Sequence, residues 1–217
     1  MTAISVDAIP PENIVKQGAD WMLVAPVPDS LAPAAARYSV AQRATLNRIV
    51  GLPEVREELL GNRLRQDRVC IAIVEGQIAG LISYRMDNEG SVWPDPARYR
   101  AHFGPLSGSI RYLLTQASLK RGGADELYLE GFKVDAIARG RGIGKSLLHW
   151  LGDEVVRRGK RAWLTEASST ADAAIYVYKS VGAEIVKTIS LGPLGYVFDR
   201  HKIVVMRWTP PADKNET

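Results

Sequence analysis

Cysteine is almost missing from this 217-residue chain: Cys70 stands alone, so no intramolecular disulfide can form. Histidine is scarce too. His102, His149 and His201 are scattered, and with a single cysteine they supply no zinc-binding pattern, so no metal is expected. Long hydrophobic runs are lacking; the stretch 69–74 falls far short of the ~20 residues needed to cross a bilayer. The opening residues, MTAISVDAIPP, have neither a basic segment nor a sustained apolar one. A reducing, cytoplasmic setting without a membrane partner is the expectation. Neither sign of charge dominates. Lys and Arg number 28 against 24 Asp and Glu, and the resulting +4 is too weak by itself to argue for a nucleic-acid partner.

What is present is an ordinary globular composition, 46% hydrophobic and 24% charged, enough to bury a core. The length suits one domain over residues 1–217, with a polar, proline-containing tail at 209–217 expected to fray. Trp21 to Pro28 reads as a first strand ended by prolines, which cannot donate to a ladder. Ser39 to Val50 and Glu54 to Leu60 read as helices on either side of Gly51-Leu52-Pro53. Val69–Val74 and Gln77–Tyr84, joined by Glu75-Gly76, read as a hairpin. The pattern then loosens. Residues 86–124 form a long insertion rich in Gly and Pro, with one helix expected over Ser109–Leu119. Such an insertion is either a binding loop or lid, or a cover over the core.

Leu127–Val134 is a strand, and it leads through Asp135–Ala138 into Arg139-Gly140-Arg141-Gly142-Ile143-Gly144-Lys145-Ser146. A helix follows with Leu147, Leu148, Leu151 and Val155 on one face and Gly159 as its C-terminal glycine. Ala162–Glu166 is a strand, Ala171–Val181 a helix stopped by Gly182, and Glu184–Ser190 and Ile203–Trp208 are closing strands. Hairpins at both ends and a single strand-helix-strand unit indicate an α+β sheet.

Spacing decides what kind of glycine loop this is. A nucleoside-triphosphate loop, G-x-x-x-x-G-K-[ST], needs its first glycine where Arg139 stands. The dinucleotide fingerprint G-x-G-x-x-G needs its third where Lys145 stands. The pattern [QR]-x-x-G-x-[GA] fits, at Arg139, Gly142 and Gly144. Glycines there let backbone approach a diphosphate, while the helix start and Arg139, Arg141 and Lys145 supply positive charge.

With that loop, with Phe132-Lys133-Val134 ahead of it and with an A-x-x-x-Y-x-x-x-G helix at Ala174, Tyr178 and Gly182, the region 127–183 resembles the GNAT superfamily of N-acetyltransferases. The resemblance implies a mixed, mostly antiparallel central sheet with helices on both faces. It also implies a cofactor slot between two splayed parallel strands. Acetyl-CoA as co-substrate would lie along Phe132, Lys133 and Val134 and on Arg139 to Ser146, including Gly140 and Ile143. The implied reaction moves acetyl to a primary amine, on a small molecule or a peptide, by direct attack in a ternary complex. A fold that binds CoA without catalysis, as sensor or scaffold, is the alternative. A homodimer is compatible with the family.

Tyr178 falls on the family's general-acid tyrosine, where a packed core aromatic is the other reading. Glu130 is the candidate base. By simple alternation it shares a side with Phe132 and Val134, although a salt-bridged glutamate would satisfy the same position. Two departures stand out. The family's frequent cofactor-contacting asparagine is replaced by Ala171, for which Ser168, Ser169 or Thr170 could substitute. The aromatic that commonly follows the helix glycine is replaced by Ala183.

Overall fold

A computed structural model describes residues 4, 9–41, 46–60, 64–119, 123–190, 192 and 202–211. Among them runs one eight-stranded sheet in the order β1-β2-β3-β4-β5-β6-β8-β7. Its strands are β1 (Ile14–Gln17), β2 (Trp21–Val24), β3 (Val69–Val74), β4 (Gln77–Arg85), β5 (Glu126–Val134), β6 (Ala162–Ser168), β7 (Glu184–Ser190) and β8 (Lys202–Trp208). Every neighbouring pair is antiparallel except β5 and β6. The α+β, mostly antiparallel sheet is therefore the one expected.

The helices are α1 (Ala32–Ala41), α2 (Asn47–Val50), α3 (Pro53–Leu60), α4 (Pro96–Phe103), α5 (Pro105–Ser118), α6 (Ile143–Arg157) and α7 (Asp172–Lys179). Three boundaries differ from the sequence reading. The expected helix over 39–50 begins earlier, at Ala32, on an alanine-rich turn, and its continuation across 42–45 lies outside the described residues. β1 was not expected: four polar-flanked residues carry too little periodicity to announce a strand, and pairing with β2 creates it. The insertion holds two helices rather than one. Asp95 starts α4 by accepting a hydrogen bond from the Ala97 N–H at 2.8 Å, and Gly104, at φ +82, separates α4 from α5.

Helices cover both faces. On one, α6 lays Leu147, Leu148, Leu151 and Val155 against Cys70, Ala72, Ile82 and Tyr84 of the central strands, and α7 adds Tyr178. On the other, Ala35 of α1 packs with Val69, Ile71, Ile73 and Leu81. A third cluster joins Val40, Val50, Leu59 and Leu60 to Val92 and Tyr99 of the insertion. The insertion's helices thus cover core beside α1–α3. Of the tail, 209–211 carry no regular structure and 212–217 lie outside the described residues. Among the described residues no helix is long and apolar enough to cross a membrane.

Candidate acyl-CoA cleft

Two features of β5 shape the site. Its pairing with β6 runs only from Glu126 opposite Ala162 to Tyr128 opposite Leu164. Beyond that point β5 continues to Val134 and β6 to Ser168 without ladder bonds between them, so the strands open like a wedge. Parallel strands sharing only three paired positions leave backbone donors and acceptors for another partner.

The second feature is a bulge. Ser83 pairs with Gly131 but Tyr84 pairs with Leu129, leaving Glu130 as the extra residue. Leu127 and Leu129 face the α6–α7 side, and after the bulge Phe132 and Val134 face it too. The expected alternation that put Glu130 beside Phe132 and Val134 therefore fails, because the bulge resets the parity. Glu130 turns to the opposite face, where its carboxylate meets Arg85 (2.7 Å) and the backbone N–H (2.8 Å) and hydroxyl (3.1 Å) of Ser91. Its side chain is 4% exposed. The salt-bridged alternative is the arrangement found.

A cleft of about 640 Å³ opens beside the end of β5 that has lost its pairing with β6, within the range of small-ligand sites. Its floor and walls include Phe132, Lys133 and Val134 from β5, and Arg139, Gly140, Gly142, Ile143, Gly144 and Lys145 from the loop and the start of α6. Nine of the expected cofactor residues thus meet in one cavity. Gly140 and Gly142 sit at φ +79 and +77, a backbone region that glycine occupies without strain. A Cβ on either would meet nothing within 4 Å. Gly142 is the N-cap of α6 and supplies no side-chain cap, so the first N–H groups of the helix have no side-chain partner there. Such a turn suits a diphosphate.

Two expected residues lie elsewhere. Arg141 turns away to Asp20, and to Glu75 at 3.8 Å, bracing the loop against the β1–β2 and β3–β4 connections instead of lining the cleft. Ser146 is buried in the first turn of α6. Lys133 lines the cleft and pairs with Asp135 at 2.7 Å. Arg139 folds back so that its Nε donates to the Val134 carbonyl at 3.2 Å.

The far wall was not anticipated. Ala173, Ala174 and Val177 of α7 line the cleft, as does Ala138. Their spacing over one helix face, with small side chains, was the available signal. Tyr178 follows Val177 but is only 5% exposed, packed against Phe132 (ring centroids 5.6 Å apart) and Trp163 (6.0 Å). Burial pushes its phenol up to about 12, opposed by a hydrogen bond with Thr165. The group is a proton donor at neutral pH and not a base. Tyr176 points to solvent, as its place on the helix requires.

Ard1 of Thermoplasma volcanium superposes with a TM-score of 0.55 at 14% identity, covering 89% of this chain and 99% of that one. The ribosomal-protein-alanine N-acetyltransferase of Brucella melitensis gives 0.53 at 20% identity, covering 87% and 99%. A streptothricin acetyltransferase so described from Bacillus anthracis is longer. This chain spans 62% of its length, with 66% of its own residues matched at 15% identity and a TM-score of 0.46. The first two likenesses speak to the fold alone. Comparison of the sequence with curated proteins gives no match. The family is fixed by the sequence over residues 42–183, a span that includes the hairpin, the bulged strand, the glycine loop and the tyrosine helix: the chain belongs to the acetyltransferase (GNAT) family.

Proposed function

We propose that the protein transfers an acetyl group from acetyl-CoA to the primary amine of a small molecule or peptide. The observation that carries this reading is the cleft itself. It joins the uncapped start of α6 and two positive-φ glycines, suited to a diphosphate, to a strand whose ladder with its neighbour has ended. The pantetheine arm would extend along β5 in place of the missing strand, with backbone N–H groups near Phe132 and Val134 facing the thioester carbonyl. One such donor contributes about 3 kcal/mol as negative charge develops on that oxygen.

The chemistry then needs little else. The neutral amine attacks the carbonyl carbon, the C–N bond forms and the C–S bond breaks. The departing thiolate takes a proton, for which Tyr178 is the proposed donor. Its neighbour Phe132 lines the cleft, and its phenol stays protonated through the neutral range. The proton released by the amine leaves through water, and solvent returns one to the Tyr178 phenolate. Glu130, turned to the other face and held by Arg85, is not assigned to that step.

Thermal denaturation with acetyl-CoA, CoA and Mg²⁺-ATP in parallel tests the reading, followed by a screen of primary amines for released thiol. Both CoA species should stabilise the fold, by about 2.7 kcal/mol at a hundredfold excess over the dissociation constant, and ATP should not. Absence of any shift with either CoA species would overturn the assignment of the cleft. Binding without thiol release across a broad amine panel would instead identify a CoA-binding module.

A further inference from the structure

The bulge at Glu130 has an elaborate support that contacts no part of the cleft. Glu130 Oε1 accepts from Arg85 Nε at 2.9 Å and Nη2 at 2.7 Å, and its Oε2 accepts from the Ser91 N–H and hydroxyl. Arg85 Nη1 donates onward to the Asn88 carbonyl at 2.7 Å. Gly90 lies directly over the ion pair: a Cβ there would sit 2.5 Å from Arg85 Nη2 and 2.6 Å from Glu130 Oε1. The turn itself is tied down from the other side. Glu89 pairs with Arg65 at 2.7 Å and with Arg68 at 3.3 Å, and Arg68 also donates to the Met86 carbonyl at 3.0 Å. Both Arg85 and Glu130 are nearly sealed from water, so neither charge tolerates loss of the other.

We propose that Arg85 and the 88–91 turn are a positioning device for the acyl-CoA strand: they lock the bulge at Glu130 and so decide which side chains of β5 face the cleft. The proposal rests on the reading of that cleft as the acyl-CoA site. A one-residue slip in a strand exchanges its two faces. Without the bulge, Gly131 and Lys133 would continue the side set by Leu127 and Leu129, and Phe132 and Val134 would leave the cleft wall. Such a slip would drag the Glu130 carboxylate off Arg85 and Ser91 and strand two charges in the interior. The ion pair therefore specifies register, and the start of the insertion contributes to ligand binding without touching the ligand. Arg85, Gly90 and Ser91 are positioning residues in this account.

The test is calorimetric titration of wild type, Gly90→Ala and Ser91→Ala with two probes. Acetyl-CoA needs both strand and phosphate loop, whereas adenosine 3′-phosphate 5′-diphosphate, the nucleotide end of CoA without pantetheine, reaches the loop alone. Gly90→Ala should weaken acetyl-CoA at least tenfold while adenosine 3′-phosphate 5′-diphosphate stays within twofold of wild type. Ser91→Ala, which removes one hydroxyl and keeps the backbone N–H, should show the same split at about threefold, and it carries the test if Gly90→Ala does not fold. A role in general stability would weaken both probes alike; that result, or no change in either, overturns the proposal. A wild-type protein that bound neither probe would overturn the cleft assignment itself, and the proposal with it.

Discussion

Tyr178, the proposed proton donor, lies behind the cleft wall, between the lining residues Val177 and Phe132. Its ring is wedged between Phe132 and Trp163, and its phenol is held up to about 12 by burial. Tyr178→Phe keeps the ring packing and deletes the donor. Turnover should fall at least tenfold, about 1.4 kcal/mol of barrier, with acetyl-CoA affinity unchanged; an equal rate would remove the residue from the mechanism. The same shift has a stability consequence. A phenol whose folded value exceeds its unfolded value of about 10 stabilises the native state fully below pH ~10 and loses that contribution as pH climbs toward 12. Tyr178→Phe should therefore blunt the alkaline fall in melting temperature and leave the profile between pH 6 and 9 parallel to wild type. Tyr38, Tyr84 and Tyr99, also raised by burial, contribute to the rest of that fall.

At the scale of elements, the strand-loop-helix unit from β5 through α6 carries the proposed binding chemistry. Gly142 is its most exposed test, because φ is +77 and the space around a Cβ is open. Gly142→Glu should fold, with a backbone penalty on the order of 1–3 kcal/mol. It should lose CoA binding strongly, because a carboxylate would then stand where the diphosphate is expected. Normal CoA affinity in a folded Gly142→Glu protein would sink the loop assignment. Much of this unit was legible in advance. The glycine spacing and the apolar face of α6 lie within contiguous stretches, whereas the cleft wall formed by Ala173, Ala174 and Val177 of α7 emerges only from the packing of that helix. The bulge was not legible, since it arises from how β5 pairs with a strand 45 residues away in sequence, and no period within β5 announces it.

Across the whole molecule, buried charge ties elements distant in the chain. Glu154 of α6 accepts from the Tyr84 hydroxyl on β4 at 2.7 Å and pairs with Arg158, which also reaches Asp67 at 2.9 Å in the turn before β3. Glu154 is almost fully buried, so Glu154→Ala leaves Arg158 and the Tyr84 hydroxyl without it. A loss of about 3–5 kcal/mol is expected, seen as a fall in melting temperature on the order of 10 °C. Acetyl-CoA affinity at 20 °C should stay within threefold, because this cluster lies apart from the cleft lining. Loss of affinity out of proportion to stability would place Glu154 in the binding machinery instead.

The sequence by itself determined the strands and helices with strong periodicity, the glycine loop between β5 and α6, and through them the family. Each depends on residues adjacent in the chain, whose backbone preferences and apolar spacing act locally. Only the tertiary structure decided that β5 and β6 part after Tyr128, that Arg141 braces the loop against Asp20, and that Glu130 faces Arg85 rather than the cleft. Those outcomes turn on pairing register and on where long charged side chains find partners, which are set by segments brought together across the sheet.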